Sequence, residues 1–156
     1  MDEAFMLRAL AEARQAGEEE EIPIGAVIVR GEQIIAAAHN QREALRDPTA
    51  HAEMLAITQA AESINNWRLN ECTLYVTLEP CPMCAGAILN SRIPRVVYGA
   101  ADAKAGAVDS VFQLLADARL NHRSEIVRGV LADECGGLLT SFFAERRRGK
   151  SRPDFS

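Results

Sequence analysis

The chain has 156 residues, 48% of them hydrophobic and 25% charged, with a formal net charge of -5. That length fits one ordinary domain able to bury roughly two-thirds of its unfolded surface, and no apolar run approaches the ~18 residues a membrane helix needs. The acidic start Met1-Asp2-Glu3 is not a secretory signal, so the expected location is the cytoplasm. The negative total argues against indiscriminate attraction to nucleic acid. Its distribution is uneven, however, with an acidic run at Glu18 to Glu21 and a basic cluster of Arg146, Arg147, Arg148, Lys150 and Arg152.

In chain order, Phe5, Leu7, Leu10 and Ala13 recur at helical spacing, which predicts a surface helix over 2–16 with Gly17 as its stop. Two short apolar runs, 22–30 and 33–38, flank Gly31-Glu32 and read as a β-hairpin. Asp47-Pro48-Thr49 is a turn signal whose threonine is a candidate cap for a helix over about 50–63. A third strand is expected over 73–78, followed by an Ala-rich helix that Pro80-Cys81-Pro82 opens and that ends near Ser91. Strands over 95–99 and 125–131 and a closing helix over 133–148 complete the series. The strand-helix-strand units favour a parallel portion of sheet joined to the antiparallel opening hairpin. The expected fold is α/β: three layers, α/β/α, around a central mixed sheet of about five strands. One domain is expected over 1–156, with 149–156 a candidate frayed tail.

Four cysteines, Cys72, Cys81, Cys84 and Cys135, in a cytoplasmic chain of this size point to a metal site before a disulfide framework. Cys81-Pro82-Met83-Cys84 puts two sulfurs one helical turn apart at a helix N-terminus, which favours thiolates. Alone, the pair fits half a zinc site, a redox pair, or half of a structural site completed by Cys72 and Cys135. A catalytic zinc centre takes three protein ligands and leaves one position for water, and His51 supplies the third. In mid-helix His51 and Glu53 would point nearly opposite ways, so both reach one pocket only from a first turn entered end-on. Taken singly, His51 reads as a surface residue and Glu53 as a first-turn carboxylate favoured by the helix dipole.

Together these elements match the H-x-E and P-C-x-x-C pattern of zinc deaminases. The chain resembles the cytidine deaminase-like superfamily and, within it, looks like the bacterial tRNA adenosine deaminases that convert a wobble adenosine to inosine. The resemblance runs through 23–27, Asn40, 47–53, 77–88, 102–106 and 131–135. Asp-Pro-Thr-Ala-His-Ala-Glu and Glu-Pro-Cys-Pro-Met-Cys also occur in bacterial guanine deaminases.

The resemblance implies hydrolytic deamination at C6 of adenine. One zinc per subunit would be held by His51, Cys81 and Cys84, its hydroxide would attack C6, and Glu53 would shuttle protons. It also implies a base pocket lined by Ala52, Pro80 and Cys81, with Asn40 bonded to the flipped nucleotide. Asp102 and Lys104 would touch the anticodon loop, and a homodimer is usual. Asn40 reads equally as a turn former after a strand. RNA loops are recognised through stacking and basic contacts, for which Phe142, Phe143, Arg146 and Arg147 on the last helix and the polar Asn121-His122-Arg123 loop are candidates. At least one phenylalanine is expected to pack in the core, since adjacent helical residues point about 100° apart. A solvated helix end accounts equally for the arginines. Cys72 and Cys135 are assigned to packing. The competing functions are deamination of a free base such as guanine, against which the basic C-terminal helix argues, and a non-catalytic domain with a four-cysteine zinc.

Overall fold

A computed structural model describes residues 1–149. The first helix, α1 (Asp2–Glu18), buries Met6, Ala9, Leu10, Ala13 and Ala16, whereas Leu7 lies outward. Leu10 and Ala13 of the expected stripe are thus buried and Phe5 packs against Tyr75, their ring centres 5.2 Å apart, so that only Leu7 departs from it. Gly17 does not stop the helix; the chain leaves it at Glu20, whose φ is 64°.

Strands β1 (Gly25–Arg30), β2 (Gln33–His39), β3 (Cys72–Leu78), β4 (Arg95–Ala100) and β5 (Glu125–Val127) form one sheet in the order β2-β1-β3-β4-β5. β1 is antiparallel to both β2 and β3, while β3, β4 and β5 run parallel. The mixed sheet expected from the sequence is thus present. β5 is shorter than the expected 125–131, because Gly129 (φ 75°) and Leu131 (φ 55°) turn the chain out of extended backbone and into the last helix.

One face of the sheet carries α1 and α5 (Ala132–Arg148), with Val27, Tyr75, Val97 and Cys135 in the core between. The other carries α3 (Ala52–Ile64) and α4 (Pro82–Ser91), packed over Ile28, Leu74 and Val76 of the sheet. Three layers result. A short 3-10 turn at Leu114–Ala116 lies in the long connection before β5. The tail expected at 149–156 falls, beyond Gly149, outside the described residues, as do Lys150 and Arg152.

Two carboxylates, one of them buried, and a histidine fix the connections near the site. A short helix, α2 (Arg42–Leu45), has its Glu43 and Ala44 backbone N–H groups donating to the Glu21 carboxylate at 3.1 and 2.7 Å. Glu21, from the acidic run, is buried. Thr49 does not cap α3: Asp47 Oδ1 takes both its backbone N–H and its hydroxyl, at 2.8 and 2.7 Å, closing an Asx turn that leaves His51 as the N-cap.

His39, at the end of β2, lies between Glu12 (2.9 Å from Nδ1) and Glu19 (3.0 Å from Nε2). Burial opposes its charge, but the two carboxylates outweigh that and raise its pKa. A proton held more tightly by the folded than the unfolded chain stabilises the fold fully below the unfolded value of about 6.5, and that contribution is lost as pH rises through the higher folded value. The urea midpoint of the wild type should therefore fall more steeply than that of His39→Gln as pH rises from about 6 to about 9. Parallel pH profiles for the two proteins would contradict this.

Candidate active site

Two helix N-termini meet at the C-terminal end of β3. His51 is the N-cap of α3, and Ala52 and Glu53 are its first residues; Cys81 is the N-cap of α4, Pro82 opens it, and Cys84 lies in its first turn. The extended backbone at His51 and Cys81 lets each cap side chain turn back across its own helix end. This is the end-on entry that the His51–Glu53 spacing requires. Both helix dipoles present their positive ends to the same point, which favours thiolate and carboxylate there.

His51 Nδ1 lies 3.7 Å from Cys81 Sγ and 3.5 Å from Cys84 Sγ. The three ligand atoms lie within 4.8 Å of one another, the one group of three such residues among those described that is placed to hold a metal. With Zn–N of about 2.0–2.1 Å and Zn–S of about 2.3 Å, neighbouring N and S ligands of a tetrahedral centre stand about 3.6 Å apart. The observed spacings fit, and two sulfurs with one imidazole are the donor chemistry zinc selects.

A four-cysteine alternative is excluded by the sheet itself. Cys72 packs on the α3/α4 face and Cys135 on the α1/α5 face, each within a hydrophobic core. Both assignments to packing hold.

The two sulfurs of this cluster share charge unequally. The Cys84 contact, reinforced by His51, lowers the Cys81 thiol to about 4, while the same contact and burial push Cys84 far above the thiol range. The Cys81 sulfur in turn raises the His51 pKa. Glu53 is only 4% exposed, and burial pushes its carboxyl up to about 7.

A cavity of about 550 Å³ opens over this cluster, lined by His51, Glu53 and Cys81 together with Ile24, Leu78 and Leu139. Its size and largely apolar wall suit a small planar ligand held by a few polar groups. Asn40 lines it, buried, with Nδ2 donating to Ile22 O at 3.5 Å and Oδ1 left without a partner. A buried acceptor without a donor is costly, so this oxygen is placed to receive a hydrogen bond from a ligand. Ala52, Asp102 and Lys104 also line the cavity.

Other residues singled out in the sequence are placed differently. Pro80 is buried behind the wall, its carbonyl accepting the Ala107 N–H at 2.8 Å. Phe143, 39% exposed, is the phenylalanine on the cavity; half-buried Phe142 meets it edge-on and lies under the Arg146 guanidinium, 4.9 Å from the ring centre. Neither ring is fully buried, because Cys135 is the residue of α5 that fills the core. Arg146 and Arg147 are exposed at the end of α5, beyond the cavity wall. His122 Nε2 lies 2.8 Å from Ile93 O, within the fold.

The sequence reading gave no role to Arg42, which lines the cavity from α2, or to Glu79, which anchors the adjoining loop. The only hint of either was position, one just after Asn40 and the other just before Pro80.

A family model of MafB19-like deaminases matches residues 1–147. The tRNA-specific adenosine deaminase of Bacillus subtilis (strain 168) is 52% identical over 96% of this chain and 92% of its own length. Among solved structures, a tRNA:A34 deaminase that carries out A-to-I editing at the wobble position superposes with a TM-score of 0.84 at 45% identity, covering 87% of this chain and 99% of that one. The guanine deaminase of Bacillus subtilis superposes with a TM-score of 0.62 at 42% identity, but over only 64% of each chain. With 52% of aligned residues identical to the Bacillus subtilis tRNA-specific adenosine deaminase over nearly the full length of both chains, this chain belongs to the family of tRNA-specific adenosine deaminases.

Proposed function

We propose that this protein is a zinc-dependent hydrolase that converts adenosine to inosine at the wobble position of a tRNA anticodon. The observation that carries the reading is the open cavity over His51, Cys81, Cys84 and Glu53 in a chain aligned along almost its full length with tRNA-specific adenosine deaminases. One zinc per subunit would be held by His51 Nδ1 and the sulfurs of Cys81 and Cys84, and when bound it supplies the Lewis acidity that makes water reactive near neutral pH.

The chain's own groups do the rest. Glu53, on the cavity wall beside the cluster, takes the first proton of the attacking water at its carboxylate and delivers it to the ring nitrogen next to C6, then takes the second proton from the oxygen now bonded to C6 and delivers it to the amino group, which departs as ammonia. Asn40 Oδ1 accepts from the flipped nucleotide, and Ala52 and Cys81 bound the base, with Pro80 behind them. Phe143 offers a face for a stacked loop base, with Phe142 supporting it from behind, and Asp102 and Lys104 meet the anticodon loop.

The protein is read as a cytoplasmic homodimer. The family resemblance supports the dimer, and exposed Val111 and Phe112 add apolar surface of the kind such an interface covers. No helix among the described residues is long and apolar enough to cross a membrane.

Arg146 and Arg147 supply a local positive surface on a protein of net charge -5. Each phosphate contact releases condensed counterions, so changing both to Ala should flatten the salt dependence of stem-loop binding by roughly one to two units of log-log slope. Zinc content should be unchanged, and kcat should fall far less than kcat/KM. An unchanged slope with a collapsed kcat would instead assign the arginines to the fold.

Guanine deamination is the second reading, favoured by the 42% identity to the Bacillus subtilis enzyme. Ammonia release measured in parallel from an anticodon stem-loop, guanine and cytosine separates them. Release from the stem-loop alone is expected; release from guanine alone would overturn the tRNA reading.

A further inference from the structure

The segment from Ala101 to Ser110 follows β4, contains no helix or strand, and forms one wall of the cavity through Asp102 and Lys104. Its conformation is set by Glu79, a side chain outside the cluster of donors, 2% exposed. Oε1 accepts the Asp102 N–H at 3.0 Å and the Ser110 hydroxyl at 2.5 Å. Oε2 accepts the N–H groups of Val108, Asp109 and Ser110 at 3.1, 2.7 and 2.9 Å. The backbone N–H of Glu79 itself donates to Ala100 O at 2.9 Å, so both ends of the segment are tied to one residue.

The fit is close at Gly106, where a Cβ would stand 2.3 to 2.4 Å from the Glu79 carboxylate; only a glycine lets the backbone wrap this tightly. Four backbone donors and a hydroxyl converging on one ionised group are charge-assisted bonds, stronger than neutral ones. They replace the ladder hydrogen bonds that this stretch of backbone lacks. Asp102, held at one end of the array, uses its own Oδ1 to accept the N–H groups of Lys104 and Ala105 at 3.0 and 3.2 Å. The position of Lys104 at the cavity mouth thus depends on Glu79 through two successive carboxylates.

We propose that Glu79 is a positioning residue for RNA: it holds the Ala101–Ser110 loop in the shape that meets the anticodon loop, and so governs substrate binding without taking part in proton transfer. This rests on the tRNA reading above. Glu79→Gln keeps the size but replaces one acceptor oxygen by an amide that faces N–H donors. Ser110→Ala removes only the hydroxyl bond and preserves the rest.

The test uses the zinc-loaded full chain and an anticodon stem-loop, with steady-state kinetics and metal content for wild type and both variants. Glu79→Gln is expected to raise KM about tenfold or more while kcat stays within about threefold and zinc stays stoichiometric; Ser110→Ala should raise KM about two- to threefold. A purely structural role would lower kcat and zinc content together and leave no selective KM effect. If Glu79→Gln does not fold, Ser110→Ala decides, and an unchanged KM there overturns the proposal. A wild type that converts no stem-loop adenosine overturns the tRNA reading and this proposal together, whereas an active wild type with an unchanged KM in both variants overturns this proposal alone.

Discussion

Glu53→Gln is expected to retain its zinc and lose deamination by at least about 10²-fold, the acceleration that general acid-base catalysis commonly supplies. The substitution is nearly isosteric, and Glu53 is not among the three grouped ligand atoms, so the metal site should persist. What disappears is a carboxyl that can both accept and deliver a proton inside a buried wall where water is a poor substitute. Metal analysis and single-turnover conversion of a stem-loop check both halves. A Gln variant keeping more than about a tenth of wild-type turnover would remove Glu53 from the chemistry. A variant without zinc would make it a support for the ligands.

Cys84→Ser should lose both metal and activity. Cys84 is fully buried and its sulfur sits 3.5 Å from His51 Nδ1, so the hydroxyl that replaces it is a poor, rarely ionised ligand in a site built for thiolates. Loss of one ligand from three leaves affinity too low to keep the ion through dialysis. The fold should survive, because the strands and helices around α4 are held by an extensive apolar core. Stoichiometric zinc in the dialysed variant would contradict the ligand assignment, and unfolding of the variant would make the ion a structural one.

The grouping of His51, Cys81 and Cys84 was legible because its signals are local. His51 and the Cys81–Cys84 pair each sit beside a proline-marked helix start, and that placement alone brings an imidazole and two sulfurs to helix ends. The sheet was legible for a similar reason: short apolar runs alternating with helical ones specify its parallel half. What escaped was non-local. Glu21 read as one member of an acidic run, yet its partners are backbone N–H groups more than twenty residues on. Glu79 likewise bonds a loop whose first donor, Asp102, lies 23 positions later. The choice between Phe142 and Phe143 depends on the rotation of α5 about its axis, which Cys135 fixes by entering the core, and no feature of two adjacent aromatics reveals that.

The account is tested most directly by incubating the zinc-loaded protein with a panel of anticodon stem-loops, each bearing adenosine at the wobble position or at a neighbouring one, and reading each product by mass. Conversion to inosine confined to the wobble adenosine is the predicted result. Conversion of neighbouring adenosines with equal ease, or of none while guanine yields ammonia, would contradict it.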